Sequence, residues 1–114
     1  MVVSRVFRSQ RVGAGARRYR AVWNHAVLAD SADIVLVDGN PYFRFADVRA
    51  EYLRPSECHT TGPWKGVAIH YDVAVGDRVN ADAARYYPNP GPAAARIRGR
   101  VAFRSGVTVE AVAE

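Results

Sequence analysis

With 114 residues, 49% apolar and 24% charged, the chain has the make-up of one ordinary globular domain with a modest core. No apolar run approaches the ~20 residues needed to span a bilayer, and a single cysteine, Cys58, excludes an internal disulfide and a cysteine-cluster metal site. The net charge of +5 sits at one end, because residues 1–20 hold six arginines and no acid while the rest of the chain is close to neutral, so the basic balance is poor evidence for a nucleic-acid-binding domain and no nucleic-acid partner is expected.

Residues 1–18 show no sustained period, and Gly13-Ala14-Gly15-Ala16 is a flexible patch. Their arginine- and serine-rich, acid-free composition is shared with transit peptides. The expectation carried forward is an unstructured basic tail, 1–18, ahead of a single domain, 19–114. A cytoplasmic home fits the lone cysteine.

Ala21-Val22-Trp23 and Ala26-Val27-Leu28-Ala29 flank Asn24-His25, the pattern of a tight hairpin with His25 exposed at its turn. The β-branched run Asp33–Asp38 predicts a buried strand, and Gly39-Asn40-Pro41 turns the chain into an extended Tyr42-Phe43. Residues 46–54 fit a helical turn followed by a short strand that Pro55 ends.

Ser56-Glu57-Cys58-His59-Thr60-Thr61-Gly62-Pro63-Trp64-Lys65-Gly66 is the densest run of polar chemistry in the chain. Its glycines and proline predict a loop, and a strict period-two strand follows at once, Lys65 to Gly76. On that strand Val67, Ile69, Tyr71, Val73 and Val75 make one face. Ala68, His70, Asp72 and Ala74 make the other, which is expected to be the wetter. Ala81–Tyr86 reads as a short helix or turn, Tyr87–Pro92 as irregular, and Ala93–Ile97 as a short helix behind a proline. Arg100–Phe103 and Val107–Val112 read as a closing hairpin over Ser105-Gly106. The fold class expected is mainly β: a small two-layer β-rich domain of about eight strands and two short helices.

The basic residues are fifteen arginines and one lysine. A lysine retained in so arginine-biased a chain, inside the polar run, makes Lys65 the candidate catalytic residue or an anchor for an anion. Ser56, Thr60 and Thr61 supply hydroxyl donors. Tyr42, Tyr71 and Tyr87 offer apolar walls with polar tips. Asp38, Asp47 and Arg49 complete the ligand-binding set as orienting groups. Adjacent Cys58 and His59 point apart in an extended segment, so they make a poor nucleophile and base. The histidines show no ligand spacing, no glycine-rich phosphate loop is present, and no metal or cofactor is expected.

The runs Val22-Trp23-Asn24, Gly39-Asn40-Pro41-Tyr42-Phe43, Tyr52-Leu53-Arg54-Pro55-Ser56 and Thr60-Thr61-Gly62-Pro63-Trp64-Lys65-Gly66 resemble the bacterial domain of unknown function 427 family. Ala83-Ala84-Arg85-Tyr86-Tyr87-Pro88-Asn89-Pro90 and Ile97-Arg98-Gly99-Arg100-Val101-Ala102-Phe103 continue the resemblance in order, over about residues 20–112. It implies a small β-tent-like domain and no established activity. The family is sometimes labelled nucleotidyltransferase-like, but the carboxylates that metal-dependent chemistry of that kind groups around Mg²⁺ are scattered here. Against the family pattern, Gly62 stands where a cysteine is usual, Arg85 where a tryptophan is usual, and Asp38 where a glutamate is usual.

These features lead to one expectation: a domain binding a small anionic or carbonyl-containing ligand at a Lys/Ser/Thr/Tyr-lined pocket, with or without chemistry on it. The alternative is a non-enzymatic protein-interaction module. A homodimer through an edge strand would suit a small β domain.

Overall fold

The structure, a computed structural model, describes residues 18–62 and 66–112, with the side chains of residues 57–62 also outside that description. Among the described residues nine strands form two antiparallel sheets. The smaller sheet has the order β2-β1-β9, built from β1 (Arg18–Trp23), β2 (Ala26–Ser31) and β9 (Thr108–Val112). The larger has the order β3-β4-β8-β7-β6-β5. It comprises β3 (Ile34–Val37), β4 (Asn40–Arg44), β5 (Leu53–Gly62), β6 (Gly66–Val75), β7 (Arg78–Tyr87) and β8 (Arg100–Phe103). The protein is therefore mainly β and two-layered, as its sequence leads one to expect. Its helical content is three 3-10 segments, Phe45–Asp47, Ala50–Tyr52 and Pro92–Ile97, in place of the two short helices expected.

The β1–β2 hairpin turns where predicted, with Asn24 and His25 both in the left-handed region at φ 50° and 65°. Asparagine tolerates that region best among non-glycine residues. Its side chain also donates to the Val75 carbonyl at 3.3 Å, which ties the turn to the larger sheet. Asp38-Gly39 does the same work between β3 and β4, at φ 54° and 80°.

The two sheets meet through an apolar layer. Tyr19, Ala21, Leu28, Ala29 and Val109 come from the smaller sheet; Phe43, Val73, Ala84 and Val101 come from the larger. Phe43 is fully buried, and its ring meets Phe103 edge-on with centroids 5.7 Å apart. The face of the larger sheet turned to this layer is called inner; the opposite face is outer.

Four expectations need correction. Residues 56–62 are strand, not loop: His59, Thr60, Thr61 and Gly62 pair with Ile69, Ala68, Val67 and Gly66. A register shift between Pro55 and His59 absorbs the irregular residues, so the proline and serine do not end the strand. Ala81–Tyr86 lies inside β7, which is hydrogen-bonded to β6 on one side and β8 on the other. Two flanking strands override the helix preference of Ala83-Ala84. The last two strands do not pair with each other. β8 belongs to the larger sheet, and β9 crosses at Ser105-Gly106 to pair with β1, Arg18 against Val112. Finally β3, expected to be buried, is an edge strand with Leu36 exposed and only Val37 buried.

Candidate functional site

Antiparallel register fixes which residues share the outer face. His70 lies opposite Arg85, Arg85 opposite Ala102, and Tyr87 opposite Arg100. Ala68 and Tyr42 fall on the same side by alternation. The 3-10 segment Pro92–Ile97 covers part of this face. Its Ala94 and Ile97 are buried against Val37, Tyr42, Ala68, Tyr87 and Ala102. The outer face is thus a second, smaller core that includes polar side chains.

His70 is 1% exposed, which reverses the expectation of a wetter face. The reason is position. β6 is flanked by β5 and β7, and its outer side is interior to the molecule. The inner-side residue Val67, near the hairpin end of β6, is the exposed one at 47%. Gly66, where β6 begins at φ +83°, lies against Asn89–Gly91: a Cβ there would stand 3.4 Å from the Asn89 carbonyl oxygen. The β5–β6 hairpin end and the Asn89–Gly91 stretch are therefore in direct contact.

The tyrosines divide. Tyr42 and Tyr87 meet on the outer face, ring centroids 6.1 Å apart and tilted at 54°. Tyr71 is on the inner face, where Phe45 meets its ring at 6.1 Å. Three tyrosines therefore do not wall one pocket, because Tyr71 is an odd step away from His70 on the same strand.

The polar residues expected at the site also separate. Ser56 donates to Asp82 Oδ1 at 2.6 Å, and the Asp82 amide donates to Asp72 Oδ1 at 2.9 Å. Asp82 holds φ 53°, and Tyr71–Val73 is where the β6–β7 register shifts. The three side chains lock that irregularity across β5, β6 and β7. Asp38 and Arg49 are exposed, Asp38 in its turn and Arg49 with its amide donating to the Leu28 carbonyl at 2.8 Å. Thr60 and Thr61 hold their register positions on β5, but their side chains lie outside the described residues, as does Lys65 altogether.

Asp47 belongs to a network at the far end of the larger sheet. It accepts Ser31 Oγ at 2.6 Å, Arg44 Nε at 2.8 Å and Arg44 Nη2 at 3.1 Å. Arg100 Nη2 donates to Asp33 Oδ1 at 2.9 Å, and its Nη1 reaches the Asp33 and Tyr42 carbonyls at 3.0 and 3.4 Å. Ser31, itself buried, links the two halves by accepting the Asp33 amide at 2.9 Å. This network fastens the β2–β3 connection to β4 and β8.

The Arg44 hydrogen bond is the main cause holding the Asp47 carboxyl below its ordinary value, opposed by burial and aided by the Ser31 hydrogen bond. Since the folded value is the lower, the carboxylate's contribution is present above the unfolded pKa near 4. It is lost as pH falls through the folded value. Asp47→Asn is expected to cost about 1 kcal/mol at pH 7, a modest figure because Arg44 is half exposed and screened, and progressively less as pH falls through the folded value. Urea melts across that range check it, and a pH-independent difference would refute the assignment.

Two residues carry more weight in the structure than the sequence suggests. His70 reads as solvated while its strand is considered alone. Arg85 was hidden by the helical look of Ala81–Tyr86. Its alternation with Ala84 and Tyr86, followed to Tyr87, is the signal that places it on the outer face. Its Nε is buried and has no hydrogen-bond partner among the described residues.

The family described as Domain of unknown function (DUF427) matches residues 11–114. The chain belongs to this family. The DUF427 match contains the whole stretch over which the resemblance was read, and it reaches nine residues further toward the N-terminus. No curated protein matches the chain. Among the described residues of this DUF427 domain, no helix is long and apolar enough to cross a membrane, and no three His, Cys, Asp or Glu side chains group to hold a metal ion.

Proposed function

We propose that this DUF427 domain binds a small anionic or carbonyl-containing ligand on the outer face of its larger sheet. The site lies beside the β5–β6 hairpin end that carries Lys65. One observation carries the reading: the outer face buries His70, Tyr42, Tyr87 and part of Arg85 instead of a purely hydrocarbon layer. Among them the Arg85 Nε is buried without a hydrogen-bond partner among the described residues, and a cost of that kind is commonly kept at ligand sites. Contact of Gly66 with Asn89–Gly91 brings the hairpin end to the segment that leads into Pro92–Ile97. Thr60 and Thr61, on the last residues of β5, belong to the same neighbourhood by sequence. Ser56 is assigned a structural role, since its hydroxyl is given to Asp82.

The rival interaction module needs a contiguous exposed apolar patch. The large exposed hydrophobics among the described residues are Leu36, Val67 and Val79, on three different strands. Scattered single exposures of that kind are ordinary.

Thermal melts with inorganic phosphate, acetate and a neutral ketone test the reading. A ligand at about 100 times its Kd raises stability by roughly 2.7 kcal/mol. Lys65→Ala is expected to weaken the response at least tenfold while leaving the ligand-free Tm within about 2 °C. Unfolding of Lys65→Ala would instead make the lysine structural.

A further inference from the structure

We propose that Arg85 selects the charge of the ligand: the group recognised on the outer face is an oxyanion, a carboxylate or a phosphate, held on the guanidinium edge that carries Nε. This rests on the ligand-site reading above.

The other described arginines with buried or half-buried heads are spoken for. Arg20 reaches Asp30 at 3.3 Å, Arg44 reaches Asp47, and Arg100 holds Asp33 and two carbonyls. Arg85 forms no ion pair among the described residues, and its Nε is sealed from solvent without a hydrogen-bond partner there. A central strand is a costly place for such a group. β7 is hydrogen-bonded on both sides, so the backbone cannot swing the side chain out to water. Arginine also cannot escape by shedding its proton.

Its cross-strand neighbours offer the head no carboxylate. On β8 the residue opposite is Ala102, which offers only a methyl group; on β6 it is the buried His70. Nε–H and the adjacent Nη–H form two parallel donors in one plane. That geometry matches two oxygens of a carboxylate or phosphate, and a neutral carbonyl, with a single oxygen, fills only half of it. The Tyr42–Tyr87 pair on the same face supplies apolar wall for the remainder of a small ligand.

The test uses the full chain and four probes: phosphate, acetate, acetamide as the neutral counterpart of acetate, and acetone. Melting temperature is read against probe concentration for the wild type, Arg85→Met and Arg85→Lys. The wild type is expected to respond to acetate or phosphate at concentrations at least tenfold below those needed for acetamide or acetone; which of the two anions acts identifies the source. Arg85→Met should melt at or above the wild-type temperature without probe and lose the anion response at least tenfold, while Arg85→Lys should keep part of it. A wild type that responds to an anion, with an unchanged response in Arg85→Met, overturns the role of Arg85 and leaves the ligand site standing. A wild type that responds equally to acetate and acetamide does the same. No response to any probe overturns both. Failure of Arg85→Met to fold overturns the inference too, because a side chain that the fold requires is not one reserved for a ligand.

Discussion

Phe43→Ala is expected to lower the unfolding free energy by roughly 3–5 kcal/mol, the range for truncating a fully buried phenylalanine. Phe43 is 0% exposed on β4, and its ring lies in the layer where the two sheets meet, edge-on to Phe103. Removing it takes away both that contact and a large part of the apolar filling between Leu28, Ala29 and Val101. The rigid strands on either side cannot collapse into the space. A domain of this size has about 5–15 kcal/mol in total, so the variant should melt more than about 10 °C lower or fail to fold near 37 °C. Phe43→Leu, which keeps most of the volume, should lose far less. Chemical denaturation of the three proteins reads the effect. A loss under about 1 kcal/mol for the alanine variant would mean that the sheets are not held together through this ring.

Ile97→Ala is the corresponding experiment on the outer side, expected to cost roughly 2–4 kcal/mol. Ile97 is 0% exposed at the end of Pro92–Ile97, packed against Tyr42, Tyr87, Ala68 and Ala102. The short 3-10 segment has little of its own to hold it. The Ala94 amide donates to Gly91, and the Arg98 amide to Ala95, both within or next to the segment, while the Gly99 amide donates to the Tyr87 carbonyl at 2.9 Å. Its attachment is therefore mostly the Ile97 side chain, and truncation should raise amide exchange across residues 92–99 and on Tyr87 before it does so in β1, β2 and β9. Phe43→Ala predicts the opposite pattern, with the smaller sheet loosened first. Identical exchange profiles for the two variants would show a single undivided core.

How much of this is visible in the chain itself follows from how local each signal is. The Asn24-His25 turn, the strand at Ile34–Val37 and the alternation from Val67 to Val75 are decided by neighbours in sequence and form as a turn and two strands, while the burial read for the two strands, which depends on distant partners, is reversed. Two parts depend on partners far away. β9 looks like the return strand of a hairpin because Ser105-Gly106 has turn chemistry, yet its partner is β1, nearly the whole chain away. The alanines of β7 favour helix until β6 and β8 close on either side. At the site the same limit applies. Tyr42 and Tyr87 can be named as tyrosines, but that they meet while Tyr71 faces the other way requires the register. Arg85 becomes conspicuous only when its strand is known to be central.

The pairing of β1 with β9 has a bearing on synthesis. The first described strand cannot find its neighbour until Thr108–Val112 exists. During translation the larger sheet, with all its strands between Ile34 and Phe103, can assemble while the smaller one lacks its third strand. Until then the β1–β2 hairpin waits with an open edge, and the apolar side of β4, β7 and β8 is only partly covered. Closing so long a loop is slow, and an open edge invites pairing with another chain. The interval before β9 docks is thus when the inner layer is incomplete and the chain is most exposed to aggregation.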